Sequence, residues 1–392
     1  MSNGYFKMVC VSDLHFGSPR IDAADLYSKL KMFLYPEVKD AHLVTIGGDL
    51  YDQLLTINSK AHKYAALFIH DLFVHSAKTG TEIRILHGTF SHDRDQLSIF
   101  NTFAFPETKY RIVNEIEVEE IPRFRCGLET IEMPLRIGYL PDNLAYTKSQ
   151  EAVDHLRRAM DVVGYTQLDL IIGHGTFDYA LPKEVSMHGS SAYTLDQFSS
   201  VVAGPIVMGH IHTSSRKYNC YYTGSFERMA HGEEERKGFY VFTKDIKNTG
   251  GWRAKFIENK FATPFVTITP KGTDISEMTR DFVEQVKTKI PRLSGYVRAV
   301  HDQPEVRAVL HKVCAQQFPN ITFSSKTSGE LTGERQLKVD DIDLTTVDDI
   351  KPTRNNLEEI IWQFLTEHDE AKDITRKDLN VKLTEILSET SI

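Results

Sequence analysis

Short apolar runs that end in glycine, histidine or aspartate recur along the first half of the chain. The sharpest is residues 43–52, LVTIGGDLYD, where a β-branched run stops at Gly47 and Gly48 and sets Asp49 at its carboxyl end. Such a run reads as a buried strand, and open α/β sheets bind ligands at that end of their strands. Residues 6–12, 82–86, 168–172 and 205–208 read as strands of the same kind. Residues 23–34, 59–77 and 149–163 carry helical spacing, and 110–113, 116–121 and 135–140 are β-like. Later, 220–223, 238–242 and 252–257 read as three antiparallel strands. Strands alternating first with helices and then with hairpins predict an α/β protein with a mixed sheet or two packed sheets, flanked by helices.

The pattern shifts near Thr263. Strand 265–269, helix 276–290, strand 295–300, helix 304–314 and strand 321–323 form a small separate α/β module. Residues 326–354 are polar and acidic and read as a linker. Residues 355–392 turn helical, with one apolar stripe through Leu357, Ile360, Ile361, Phe364 and Leu365 and a second through Leu379, Leu383, Ile386 and Leu387. The expected division is therefore 1–262, 263–325, 326–354 and 355–392.

Composition narrows the picture only modestly. A chain of 392 residues is expected to fold as two or three domains, and 41% hydrophobic with 26% charged residues is ordinary for a soluble protein. The net charge of −8 gives no global nucleic-acid signature, so any such binding needs a local basic patch, metal ions or a partner's surface. Four cysteines lie far apart in sequence and read as buried thiols in a reducing compartment. With no signal-like N-terminus and no bilayer-length apolar run, the expected location is cytoplasmic, away from membranes.

The strand ends carry Asp13, His15, Asp49, His92, His174, His210 and His212. Mixed carboxylate and imidazole donors suit Mn, Fe or Zn better than Mg or Ca. These residues outnumber the ligands of one tetrahedral site, and two close ions need a bridging carboxylate, for which Asp49 is placed centrally. Residue types alone therefore point to phosphoester hydrolysis. Any one of these histidines, met singly, reads more simply as a core or surface residue. GHIH at 209–212 is sharper, because alternating strand residues face the same way.

The series DLH (13–15), GDLYD (48–52), HD (92–93), GHG (173–175) and GHIH (209–212) resembles the calcineurin-like metallophosphoesterase superfamily. The stretch from Tyr222 to Arg228, YTGSFER, with HGE and KGFY after it, resembles the SbcD-type (Mre-type) DNA double-strand-break repair exonuclease subunits. The resemblance covers about residues 7–242. It implies a four-layer α/β/β/α sandwich, a small capping domain that contacts DNA, and a helical segment at 355–392 that grips an SbcC-type coiled-coil ATPase. It further implies a homodimer within that complex, 3′-to-5′ exonuclease activity and single-strand endonuclease activity.

By the same resemblance Asp13, His15 and His212 hold one Mn²⁺, and Asp49 bridges to a second. His174 and His210 hold that second ion, while His92 acts catalytically on the scissile phosphate or leaving oxygen. Asp52 and Asp93 support histidines from behind. Gly224, Ser225 and Arg228 are expected to contact DNA phosphate or sugar through N–H, hydroxyl and guanidinium donors. The third motif departs from the family's Gly-Asn-His-Asp. It is two residues longer here and places Ser91 at the asparagine position, a neutral and weaker ligand. Two rival readings follow: a phosphomonoesterase or nucleotidase on the same frame, and a metal-poor structural subunit that holds DNA ends.

Overall fold

The computed structural model describes residues 5–142, 149–180, 193–246 and 251–331. In chain order it runs β1 (Tyr5–Val11), α1 (Ala23–Phe33), α2 (Tyr35–Val38), β2 (Leu43–Gly47), α3 (Lys60–Thr79), β3 (Glu82–Leu86) and α4 (Phe90–Asp93). A 3₁₀ segment, Arg94–Phe103, leads to β4 (Tyr110–Val113), β5 (Glu117–Ile121), β6 (Phe124–Cys126), β7 (Glu129–Ile131) and β8 (Leu135–Leu140). Then come α5 (Ser149–Val163), β9 (Leu170–His174), α6 (Leu195–Ser199), β10 (Ile206–Gly209), β11 (Ser215–Lys217) and β12 (Cys220–Tyr222). β13 (Gly238–Asp245) and β14 (Arg253–Glu258) follow. The chain then forms β15 (Phe265–Ile268), α7 (Ile275–Lys289), β16 (Gly295–Val300), α8 (Pro304–Gln317) and β17 (Ile321–Lys326).

The long helices start and stop where their sequences direct. Asp22 accepts from the amides of Ala24 and Asp25 to begin α1, and Ser59 accepts from His62 to begin α3. Gly80, in the left-handed region at φ 81°, ends α3.

The strands form a mixed α/β architecture with two six-stranded sheets. One has the order β14-β13-β1-β2-β3-β4, the other β11-β12-β10-β9-β8-β5. β1 to β4 run parallel, as do β8, β9, β10 and β12, so their carboxyl ends lie together. Three hydrophobic clusters explain the packing. Phe6, Met8 and Leu86 of the first sheet meet Ile137, Tyr139 and Ile172 of the second in a core between the sheets. The opposite face of the first sheet buries Val9, Val44 and Ile85 against Leu26 and Leu30 of α1 and Phe68 and Leu72 of α3. The opposite face of the second buries Ile171 and Met208 against Val153 and Leu156 of α5. Burial on both faces is why these parallel strands read as continuous apolar runs.

One expected grouping is corrected. Residues 220–222 pair parallel with β10 in the second sheet, while β13 and β14 are antiparallel partners of each other beside β1 in the first. The three are therefore not one antiparallel set, because adjacency in sequence does not decide which sheet edge a strand joins.

Beyond residue 262 a three-stranded parallel sheet, β15-β16-β17, packs with α7 and α8 around its own core, including Ile268, Phe282, Val297 and Leu310. It meets the rest of the chain where Thr267 N–H donates to Glu234 (3.2 Å) and the Arg292 guanidinium lies 3.4 Å above the Phe261 ring. β17 continues to Lys326, the first residue of the expected linker. The helical stripes expected at 355–392 lie outside the described residues. Cys10, Cys220 and Cys314 are buried free thiols, and Cys126 is half-buried. Among the described residues no helix is long and apolar enough to cross a membrane.

Candidate metal centre

Where the parallel strands of both sheets end, the backbone takes an unusual conformation. Six non-glycine residues have positive φ among those described, and four of them are Asp13 (52°), His15 (49°), Asp49 (51°) and His210 (88°). The left-handed region costs a side-chain-bearing residue roughly 1–2 kcal/mol, so the cost is concentrated on candidate ligands. The chain holds the conformation by interlacing two loops: Asp13 N–H donates to Gly48 O (3.1 Å), and Leu14 and His15 N–H donate to Asp49 O (2.9 and 3.1 Å). The fully buried Asp93 carboxylate adds a clamp, accepting from the amides of Asp49 (3.0 Å), Tyr51 (3.0 Å) and Gly88 (2.8 Å). Burial and the Asp49 charge push the Asp93 carboxyl up to about 7, against those amide donors. The two sheets also touch here. A Cβ on Gly48 would sit 2.3 Å from His174 Nδ1, and one on Gly209 would sit 2.4 Å from Gly47 O.

This scaffold gathers three overlapping sets of donor atoms, each within 4.8 Å: Asp13, His15 and His212; His15, Asp49 and His92; and Asp49, His174 and His210. Asp49 is common to the second and third sets, its Oδ2 3.0 Å from His92 Nδ1, 3.2 Å from His174 Nε2 and 3.8 Å from His15 Nε2, and His15 links the first set to the second. His15 Nε2 faces His212 Nε2 at 3.1 Å, and His212 Nε2 lies 3.9 Å from Asp13 Oδ1. Asp13 is itself steadied by the Ser12 hydroxyl and by the His210 N–H at 3.0 Å.

The ring orientations have identifiable causes. His174 Nδ1 hydrogen-bonds Gly47 O (2.8 Å), which turns Nε2 toward Asp49. His212 Nδ1 bonds Glu233 Oε1 (3.1 Å), leaving Nε2 toward His15. His15 Nδ1 lies 3.1 Å from Asp52 Oδ1, the support expected of Asp52, though without hydrogen-bond alignment. Burial alone would lower the His174 pKa, but the Asp49 charge raises it to about 10, while burial and the His174 charge lower His210 to about 4. His92, half-buried and bonded to Asp49, is shifted upward. A cation entering here would displace a proton from His174.

Several expected assignments change. Asp93 does not orient the His92 ring, since its oxygens go to the backbone amides around Asp49. Ser91 is exposed on α4, and Thr89 joins His92 as a third-motif residue that faces the cluster. The residues expected to contact DNA make contacts within the fold. Ser225 is fully buried, with its hydroxyl on Glu227 O (2.8 Å) and its N–H on His212 O (3.1 Å). Arg228 donates to the carbonyls of Ala262 (3.1 Å) and Glu235 (2.9 Å), and Gly224 packs against Ser214 at φ 73°. The segment braces the chain beneath His212, with the Ser225 hydroxyl and amide and two of the Arg228 guanidinium nitrogens engaged within the fold.

Three residues escaped the sequence reading. The acidic run at 233–235 looks like a solvated loop, yet Glu233 bonds His212 and pairs with buried Lys237 at 3.0 Å. Burial would raise the Glu233 pKa, but His212 and Lys237 hold it at about 2. Asp142 faces the cluster, its pKa raised by burial and by the Asp49 charge, with His174 opposing. Thr89 is the third. Only the Glu–x₃–Lys spacing of 233 and 237 was visible beforehand, and that spacing is common on surfaces.

The donor set fits divalent cations. The His15 and His212 Nε2 atoms lie 3.1 Å apart, with Asp13 Oδ1 3.9 Å from the latter, the arrangement of ligands around an ion. No protein-family model and no curated protein matches the chain. Among solved structures it is similar to one titled "GAP50 the anchor in the inner membrane complex of Plasmodium", with 12% identity over 71% of this chain and 94% of that one. The TM-score is 0.41, and at that level the likeness carries no argument.

Proposed function

We propose that the chain is a two-metal phosphodiesterase acting on DNA, an SbcD-type nuclease subunit, with Mn²⁺ as its working ion. The observation that carries this reading is the sharing of Asp49 between two groups of donors, one with His15 and His92 and the other with His174 and His210. Helices, sheet, sheet and helices in succession are then the four-layer α/β/β/α sandwich of the metallophosphoesterases, with residues 263–325 as the capping domain. The DNA substrate and an SbcC-type ATPase partner rest on the motif series from Asp13 to His212 and on the YTGSFER stretch.

In this reading Asp13, His15 and His212 hold one cation, His174 and His210 the other, and Asp49 reaches both. Such a pair supplies an acidified water and neutralises charge at phosphorus. The protein's own part is positional. Glu233 fixes the His212 ring and Gly47 O the His174 ring, Asp52 lies beside His15, and Asp93 fixes the loop that carries Asp49. His92 lies at the edge of the cluster, its side chain 29% exposed against 2% for Asp49. That leaves its ring able to reach substrate and to pass a proton to the leaving oxygen.

The test compares a phosphodiester model substrate, a phosphomonoester and linear duplex DNA, each in Mn²⁺. Cleavage of the diester and of DNA is expected. Faster turnover of the monoester would favour the phosphatase alternative and overturn this reading, as would equal rates in Mg²⁺.

A further inference from the structure

The third motif turns in a way its sequence does not reveal. The amides of His92 and Asp93 both donate to Thr89 O, at 2.9 and 3.1 Å, starting the short helix α4. That turn sends Ser91 to solvent and leaves Thr89 facing inward. Thr89 N–H donates to Asp49 Oδ1 at 2.6 Å, which leaves Oδ2 toward the histidines. The Thr89 hydroxyl oxygen lies 3.3 Å from Asp49 Oδ2, 3.5 Å from His174 Nε2 and 3.5 Å from His210 Nδ1.

One hydroxyl proton cannot serve three partners, and three separations beyond 3.2 Å are long for hydrogen bonds. They match another geometry. Ligand atoms bound at about 2.1 Å lie about 3.0 Å from one another around an octahedral ion and about 3.4 Å around a tetrahedral one. Asp49 Oδ2 and His174 Nε2 are 3.2 Å apart, in the same range.

We propose that the Thr89 hydroxyl completes the second cation position with Asp49, His174 and His210, and that Ser91 takes no part in it. The inference rests on the two-metal reading above and deepens it. Thr89 is a neutral donor, and this group's one carboxylate is shared with the first position. The first position, by contrast, has Asp13 to itself as well as a share of Asp49. The two cations therefore load in sequence, the first tightly and the second weakly.

The test is calorimetric titration of the intact protein with Mn²⁺ alone, alongside electron paramagnetic resonance to separate isolated from spin-coupled ions. Wild type is expected to bind in two steps, with coupling only after the second. Thr89→Val should keep the first step, which reports an intact fold, and weaken the second at least about tenfold, the scale of a perturbed metal shell. Thr89→Ser should restore the second step, Thr89→Asn should tighten it, and Ser91→Ala should titrate like wild type. An unchanged second step in Thr89→Val, loss of both steps in that variant, or a weakened second step in Ser91→Ala overturns the assignment of Thr89 alone. A wild type that binds no Mn²⁺ overturns the two-metal reading with it.

Discussion

Two carboxylates lie between the sheets in opposite kinds of company. Glu119 on β5 receives a two-pronged contact from Arg84 on β3, at 2.8 Å to each oxygen, and the Tyr139 hydroxyl at 2.7 Å. Its partners are a permanent cation and a phenol, on regular strands. Asp49 is surrounded instead by His15, His92 and His174, rings that carry charge only when protonated, on backbone held in the left-handed region. The first network is complete within the chain and holds the sheets in register. The second is complete only with protons or with added cations. A buried carboxylate with a fixed counter-charge is structural, whereas one ringed by neutralisable donors at strained positions is arranged for something that comes and goes.

Exchanging the damage between the two networks is the most direct way to break that comparison. Asp49→Ala is expected to abolish Mn²⁺ binding and diester hydrolysis with only a modest fall in melting temperature, because alanine keeps the strain at φ 51° and leaves the Thr89 amide without its acceptor. Glu119→Ala should leave the buried Arg84 with Glu82 (3.1 Å) as its remaining carboxylate and cost at most about 3–5 kcal/mol of stability, with Mn²⁺ binding intact in the folded fraction. Denaturant unfolding and calorimetry on both variants decide it, and near-wild-type hydrolysis by Asp49→Ala would sink the central claim.

Within the metal cluster, His92 is expected to separate from its neighbours. His92→Asn should lose about 10²–10⁴-fold in turnover yet retain metal and DNA binding, measured by single-turnover kinetics beside calorimetry. A parallel loss of Mn²⁺ would make His92 a ligand. The Glu233→Gln variant weakens the support of His212 along with the Lys237 ion pair behind it, so the first Mn²⁺ affinity should fall about 10–100-fold.

The smallest expected effect is a pH dependence in the structural network. Burial would raise the Glu119 pKa, but the Arg84 hydrogen bond and charge hold it below its ordinary 4.5. Its ionised form therefore contributes stability above about pH 4.5, and that contribution fades as pH falls through and below that value. The stability gap between wild type and Glu119→Gln should accordingly narrow in acid, as read by urea unfolding at a series of pH values. A constant gap would remove the ion pair as its cause.

The chemistry-bearing residues of the centre were legible from sequence because the signal is local. Apolar runs of β-branched residues announce strands, glycines announce their ends, and Asp13, His15, Asp49, His174, His210 and His212 follow those ends within a few positions. The α/β class and most strands and helices were readable for the same reason. The tertiary structure decided whatever depends on which distant segment arrives beside which. It brought Gly47 to His174 and Asp13 to His210 across the sheet interface, moved residues 220–222 into the second sheet, and used the donors of Ser225 and Arg228 inside the fold. It also put Thr89 where Ser91 was expected. A one-residue choice of which side chain faces inward is set by the turn that starts α4 and by the Asp93 clamp behind it. Those hydrogen bonds join positions 49, 51, 88 and 93, and no local periodicity encodes them.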